Sequence, residues 1–480
     1  MNLKNIRYAY FLGIGGIGMS AIARYFNHEG IKVYGYDKTE TDLTKELVKE
    51  GIEIHYNDSG EKISNLQLPG SNTLVVLTPA IPKDHEEWKW FRENKFTIMK
   101  RSQVLGIISD EYKTIGVAGT HGKTTTSALI AHILKQSHVD CAAFLGGIST
   151  NYNSNLLLHK ISPPIKEGSG EVSKAGHHAL STAHQYLVVE ADEFDRSFLT
   201  LHPSISIITS TDADHLDIYG KHEELKKSFL DFANQCRDTL IIKKELEIIP
   251  DLKISYKTYS IKGKADFYAD NIRITGDQYF FDLHTGDTNL EDLYLGIPGL
   301  HNVENAVAAS AAALLSGVEE EELRVALSTF KGVKRRFEYI IKNDTMIYID
   351  DYAHHPEELR AIISSVKQIY HEHKIMVIFQ PHLYSRTRDF VDGFAESLSL
   401  ADEVLLLDIY PARELPIHGI SSEMIYDKMT VAHKMLCTKK DVLEIISKKK
   451  PDVLLTLGAG DIDQLVEPLR KLLIEIKKVA

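Results

Sequence analysis

Short apolar runs recur along the chain, each closed by a glycine-rich or polar turn and followed by a stretch of helical periodicity. Ile6–Leu12, Lys32–Tyr36, Thr73–Thr78, Thr114–Val117, Gln185–Val189 and Ser204–Ser210 are too short for buried helices and read as strands. Met346–Asp350, Lys374–Phe379, Val404–Leu407 and Val453–Leu457 repeat the pattern towards the C-terminus. Helices are expected over Met19–Phe26, from Ala128 to Leu134, over Ala306–Leu315, and after Pro356, which suits a first helical turn. Such alternation predicts an α/β fold with mostly parallel sheets, whose ligands bind at the carboxyl ends of the strands. Phe267–Leu283 alternates as an antiparallel excursion does. The chain divides into segments at 1–110, 111–331 and 332–480, with a basic, hinge-like piece at Lys331–Phe337. Asn155–Gly176, rich in Ser, Gly, Pro and Lys, reads as a loop inserted in a domain.

The 480 residues suffice for two to four domains at roughly 150 residues each. The net charge of −12, with both signs mixed throughout, argues against nucleic acid as main partner. Cys141, Cys236 and Cys437 have neither ligand spacing nor the look of a disulfide framework, which fits a reducing, cytoplasmic setting. Met1–Lys4 leads straight into a strand with no signal-peptide pattern, and no apolar run approaches the ~18 residues of a spanning helix, so membrane insertion is not expected.

The chemistry gathers where strands end. Thr114–Val117 runs into Gly119-Thr120-His121-Gly122-Lys123-Thr124-Thr125 and then a helix. Strand, glycine loop and helix in that order form a phosphate cradle: backbone N–H groups and the positive helix end face one anion. Lys123 would reach the terminal phosphates and Thr124 would hold Mg²⁺, although Val117 stands where the usual pattern has a glycine. The first strand opens into Gly13-Ile14-Gly15-Gly16-Ile17-Gly18, a Rossmann-like fingerprint, and the second ends in Asp37, near where a ribose hydroxyl would bind. Read literally this is a nicotinamide site, but the cradle recognises a diphosphate whatever hangs from it.

Gln185–Val189 delivers Glu190-Ala191-Asp192-Glu193-Phe194-Asp195, whose carboxylates suit Mg²⁺, Glu190 first among them. Ser204–Ser210 delivers Thr211-Asp212-Ala213-Asp214-His215, where His215 is a metal or phosphate candidate. Gly299-Leu300-His301-Asn302-Val303-Glu304-Asn305 opens a helix, and its polar groups either cap that helix or read a base edge. Arg336 and Arg386 could neutralise phosphate or carboxylate, or be ordinary surface residues. So many convergent charged groups exceed what a mere nucleotide-dependent binding switch needs.

In order along the chain, GIGGIGMS (13–20), GTHGKTT (119–125), EADEFDRSF (190–198), DADHLD (212–217), 299–305, DDYAHHP (350–356), 380–387, DIYPAR (408–413) and LGAGD (457–461) resemble the Mur ligase family, the ATP-dependent amino-acid ligases of peptidoglycan precursor synthesis. The first piece looks most like the alanine-adding branch. The resemblance implies a Rossmann-like N-terminal domain, a P-loop ATPase central domain and a Rossmann-like C-terminal domain. It implies UDP-N-acetylmuramate and L-alanine as substrates, with ATP and Mg²⁺; a ligase that reattaches a recycled tripeptide is the alternative. Gly13, Gly15, Gly16, Ile17, Gly18 and Asp37 would then hold the UDP moiety. Gly119, Thr120, His121, Gly122, Lys123, Thr124 and Thr125 would hold the ATP phosphates. Thr124 and Glu190 would bind one Mg²⁺ and His215 would help bind a second. His301, Asn302 and Asn305 would lie near the adenine, Arg336 and Asp351 would contact nucleotide from the third domain, and His354 and Arg386 would lie towards the amino acid. Lys123, His215, His354 and Arg386 form the implied catalytic set. Leu383 stands where the family commonly has an arginine, Phe194 where it has a small polar residue, and Ser210 where asparagine is frequent.

Overall fold

The computed structural model describes residues 3–160, 185–412 and 414–479. Two compact units emerge: Met1–Tyr268 with Val307–Ala326, and Ala269–Ala306 with Leu327–Ala480.

The first unit contains a five-stranded sheet of β1 (Tyr8–Leu12), β2 (Lys32–Tyr36), β3 (Glu53–His55), β4 (Thr73–Leu77) and β5 (Thr97–Lys100), in the order β3-β2-β1-β4-β5. All its pairings are parallel. Chain order reverses between β1 and β4, which opens a crevice at their carboxyl ends. The fingerprint loop follows β1, and a β-carbon on Gly13 would lie 2.6 Å from Thr78 Cγ2 in the loop after β4.

The same unit continues with β6 (Lys113–Ala118), β7 (Cys141–Ser149), β8 (Ser154–Leu157), β9 (Tyr186–Glu190), β10 (Ile205–Ile208), β11 (Thr239–Lys243) and β12 (Tyr256–Ser260), ordered β12-β11-β10-β6-β9-β7-β8. Only the β7–β8 ribbon in this run is antiparallel. The helix Ile17–His28 packs its Phe26 with Phe11, Phe144, Phe198 and Phe229 in one core shared by both sheets. Burial of strands on both faces explains their unbroken apolar runs.

In the second unit β14 (Gln278–His284), within the excursion expected over Phe267–Leu283, pairs antiparallel with β15 (Asn289–Leu295), which lies beyond it; β13 (Phe267–Thr275) precedes them. Its larger sheet takes β16 (Glu338–Asn343), β17 (Met346–Asp351), β18 (Ile375–Phe379), β19 (Glu403–Leu406), β20 (His433–Leu436) and β21 (Val453–Leu457), in the order β16-β17-β21-β18-β19-β20. Alternate residues enter two cores: Ile349, Val377 and Leu455 on one face, Tyr348, Met376 and Leu454 on the other.

Three expectations change. β16 and β20 join the strands foreseen in the last segment; both lie at sheet edges, half exposed, so neither carries an apolar run. Helix Leu300–Leu315 starts at Leu300 rather than Ala306, its polar first turns following Gly299 at φ 110°. The loop expected over 155–176 begins with β8, in which Asn155, Leu156 and Leu157 are buried; residues 161–176 of it lie outside the described residues.

Candidate functional sites

The loop expected to bind phosphate runs between β6 and the helix Lys123–Gln136, with Gly119 at φ 138° and Gly122 at φ 82°, both favouring glycine. The end of β10 stitches the loop down. His121 N donates to Ser210 Oγ at 2.7 Å, Thr120 Oγ1 and Ser210 Oγ are 2.8 Å apart, and Thr209 Oγ1 donates to His121 O. Asp212 N closes the circuit on Thr120 Oγ1 at 3.1 Å. Ser210 therefore holds the loop from the position where the family often has asparagine. Thr124 and Thr125 are buried in the first turn of the helix.

Lys123 Nζ donates to Gly119 O at 2.5 Å and pairs with Glu193 at 2.8 Å. Burial would lower its ammonium, but Glu193, Glu190 and Asp192 outweigh that and push it up to about 12. Glu190 and Glu193 occupy one acidic run, which ranks Glu190 first by its place at the strand end; the fold turns Glu193 inward onto Lys123. Glu190 lies over Gly146 of β7, where any side chain would overlap its carboxylate.

His215, at φ 51°, sets Nε2 3.8 Å from Glu193 Oε1 and 3.7 Å from Asp214 Oδ2. Phe194 packs edge-on against its ring at 5.3 Å. Asp195 and Arg196 also have φ of 53°, and such clustered backbone strain is common at functional sites. The Asp217 side chain and all of Arg413 lie outside the described residues.

Thr124, Glu190 and His215 offer two oxygen donors and an imidazole. Among the described residues no three His, Cys, Asp or Glu side chains converge on a metal-binding cage. The hydroxyl and carboxylate oxygens of Thr124 and Glu190 are of the donor type that Mg²⁺ takes.

At the fingerprint, Gly13 takes φ 86°, Gly16 starts the helix Ile17–His28 without a side-chain cap, and Gly15 N donates to Asp37 Oδ2 at 2.8 Å. Asp37 thus braces the loop. A residue that sequence reasoning missed stands beside it: Arg101 lies over Gly18, where a β-carbon would be 2.6 Å from Nη1, and its Nη2 reaches Asp192 Oδ2 at 3.3 Å. Its signal was weak, a lone arginine at a helix start.

In the second unit, a polar cluster follows the carboxyl ends of β17, β18 and β19. Asp351 accepts from Phe337 N at 2.6 Å and Ala353 N at 2.7 Å. Burial raises its carboxyl to about 6, against the pull of Arg336 and those two N–H groups. Arg336 lies 3.6 Å from Glu358 Oε1, and Glu358 Oε2 lies 3.3 Å from His354 Nδ1. The His354 and His382 rings sit 5.9 Å apart, and Arg386 Nη1 approaches His382 Nδ1 at 3.4 Å. His354 and Arg386 are therefore brought together through His382, while Leu383 is buried with φ 70° at the head of the helix Tyr384–Asp389.

His301 shares this region: burial, with the Arg336 cation, lowers its imidazole to about 4, leaving it neutral. Asn302 donates to Pro298 O at 2.6 Å, and Asn305 donates to Asn302 Oδ1 at 3.3 Å. Both asparagines thus make hydrogen bonds at the helix start.

The three sheets and strand-end loops match domain models end to end: "Mur ligase family, catalytic domain" over residues 8–113, "Mur ligase middle domain" over 117–313 and "Mur ligase, glutamate ligase domain" over 335–460. The chain belongs to the Mur ligase family, with its three-domain architecture.

Within that family it is similar to the UDP-N-acetylmuramate–L-alanine ligase of Phocaeicola vulgatus, 48% identical over 98% of this chain and 99% of that one. The enzyme of the same name from Porphyromonas gingivalis is 50% identical over 97% of this chain and 98% of its own. Among solved structures, the UDP-N-acetylmuramate–alanine ligase of Thermotoga maritima superposes with a TM-score of 0.78 at 29% identity, covering 98% of this chain and 99% of that chain. A murein peptide ligase from Psychrobacter arcticus, at 22% identity and TM-score 0.68 over 97% of this chain and 98% of its own, shares the fold. Among the described residues no helix is long and apolar enough to cross a membrane.

Proposed function

We propose that this protein joins L-alanine to the carboxylate of UDP-N-acetylmuramate at the expense of ATP, with Mg²⁺, in cytoplasmic peptidoglycan precursor synthesis. The end-to-end similarity to alanine-adding ligases carries this reading over the tripeptide-adding alternative. The functional division follows 1–110 for the UDP-sugar, 111–331 for ATP and 332–480 for the amino acid and further nucleotide contacts.

The chemistry is attack of the muramate carboxylate on the γ-phosphate of ATP, which releases ADP and gives an acyl phosphate, followed by attack of the alanine amine on that carbonyl, loss of the amine proton and departure of phosphate from the tetrahedral intermediate. Mg²⁺, when bound, would neutralise charge on the phosphates. The backbone N–H groups from Gly119 to Thr125 and the helix that follows them bind and orient phosphates. Lys123, cationic through the whole neutral range, leaves Glu193 for the transferring phosphoryl group. Thr124 and Glu190 would hold the first metal ion, and His215, which lies beside Asp214 and Phe194, would help hold a second. Gly13–Gly18 cradle the UDP diphosphate, and Asp37, which braces that loop through Gly15 N, lies towards a ribose hydroxyl. Neutral His301, with Asn302 and Asn305, supports the adenine; Arg336 and Asp351 contact nucleotide; His354 and Arg386 receive the alanine carboxylate and amine side.

The test is product identification. Purified protein with ATP, Mg²⁺ and UDP-N-acetylmuramate is offered L-alanine, other amino acids or the L-alanyl-γ-D-glutamyl tripeptide, and phosphate release is followed. Release with L-alanine and formation of UDP-N-acetylmuramoyl-L-alanine is expected. Preference for the tripeptide overturns the assignment.

A further inference from the structure

Asn155, on β8, is fully buried and forms hydrogen bonds with the helix that carries the fingerprint loop. Its Nδ2 donates to Ile17 O at 2.6 Å and to Ser20 Oγ at 2.9 Å. Its Oδ1 accepts from Arg24 Nη1 at 2.5 Å. Positions 17, 20 and 24 lie along one helix face, so a single amide grips the helix over its first turns. Arg24 is itself nearly buried and fixed by Glu50, 2.7 Å away. Tyr25 adds an apolar contact to the same ribbon, its ring 5.5 Å from that of Phe144 on β7.

The other side of this ribbon reaches the second cradle. β7 pairs with β9, and Glu190 at the end of β9 lies over Gly146 of β7. The β7–β8 ribbon is therefore a strut with the fingerprint helix at one side and the acidic strand end beside the phosphate loop at the other. A phosphoryl transfer between ligands held in separate cradles depends on their spacing, since a displacement of about 1 Å costs on the order of a hundredfold in rate.

We propose that Asn155 is a positioning residue that sets this spacing by anchoring the first turn of the fingerprint helix to the ATP-binding sheet. The proposal rests on the reading of Gly13–Gly18 as the UDP-sugar cradle. It also gives a role to the start of a stretch whose sequence reads only as an insertion.

Asn155→Asp tests it with little change of shape. One carboxylate oxygen keeps Arg24, now as an ion pair, which preserves the helix on the ribbon. The other faces the Ile17 carbonyl, acceptor against acceptor, and releases the turn that presents the loop N–H groups. Titrations of UDP-N-acetylmuramate and of ADP–Mg²⁺ are run on wild type and variant, alongside thermal melting.

The expected result is about tenfold weaker UDP-N-acetylmuramate binding, with the protein still melting cooperatively a few degrees below wild type, because both hydrogen bonds donated by Asn155 Nδ2 are lost. ADP affinity stays within about twofold; in turnover the KM for the UDP-sugar rises by a similar factor while that for ATP does not, and kcat falls on the order of ten- to a hundredfold as the spacing of the cradles is lost. Ser20→Ala removes one partner of the same amide, and a loss of about threefold on the UDP-sugar alone is expected there, should Asn155→Asp not fold. Equal weakening of both ligands, or wild-type binding of both, overturns the anchor. A wild-type protein that fails to bind UDP-N-acetylmuramate instead refutes the cradle reading beneath it.

Discussion

The Lys123–Glu193 pair lets the stability role of the phosphate-loop lysine be separated from its chemical role. The lysine side chain is 13% exposed and the glutamate 1%, so solvent screens the pair little. Lys123→Met keeps most of the apolar stem and removes the charge, leaving a buried carboxylate 3.8 Å from His215 Nε2. Removing one partner of a buried pair costs about 3–5 kcal/mol. At roughly 2–4 °C per kcal/mol for a domain of this size, the melting temperature falls by about 6–20 °C. The deficit grows with pH, because protonation of the stranded Glu193 relieves it under acidic conditions. Lys123→Met with Glu193→Gln removes both charges and returns to within about 1–2 kcal/mol of wild type, as buried pairs replaced together commonly do. Both variants lose on the order of a thousandfold or more in phosphate release, since the transferring phosphoryl group lacks its cation. The assay is thermal melting without nucleotide at several pH values, paired with phosphate release. The reasoning is refuted if the double variant is no more stable than Lys123→Met, or if either variant keeps activity within about tenfold of wild type.

Gly119→Ala places a β-carbon against Thr209 Oγ1 at a backbone φ of 138°, so ADP binding is lost while UDP-N-acetylmuramate titrates normally. Gly15→Val has the converse effect, because its β-carbon would lie 2.8 Å from both Asp37 Oδ2 and Thr44 Cγ2; the UDP-sugar KM rises and ADP affinity holds. Asp351, with its folded carboxyl raised to about 6, binds its proton more tightly folded than unfolded, so its contribution to stability is present in acid and is lost as pH rises through about 4 to 6. Denaturant titrations of wild type against Asp351→Asn from pH 4 to 7 show the difference in unfolding free energy shifting by about 2–3 kcal/mol in favour of the variant; parallel curves contradict the burial of this group. Chelation of Mg²⁺ abolishes phosphate release, and added Mg²⁺ restores it; turnover that persists in EDTA removes the metal roles of Thr124, Glu190 and His215.

Much of this protein is written locally. An apolar run long enough for one strand, a glycine that can take φ above zero and a helix behind it are properties of neighbouring residues. The two cradles, their order and the α/β class were therefore legible along the chain. Edge strands such as β16 and β20 escaped because an exposed strand needs no apolar run. Convergence belongs to the tertiary structure. Glu193 meets Lys123 across 70 positions, Ser210 holds His121 across 89, and Asn155 reaches Ile17 across 138. The acidic run after β9 has carboxylates at adjacent positions, and only the path of the backbone through the strained turn at Asp195 and Arg196 selects which one turns inward. Sequence by itself determined which residues could do chemistry at each strand end; the packing of sheets against one another decided which of them meet, because a hydrogen bond or ion pair forms only where folding brings distant side chains within about 3 Å of each other.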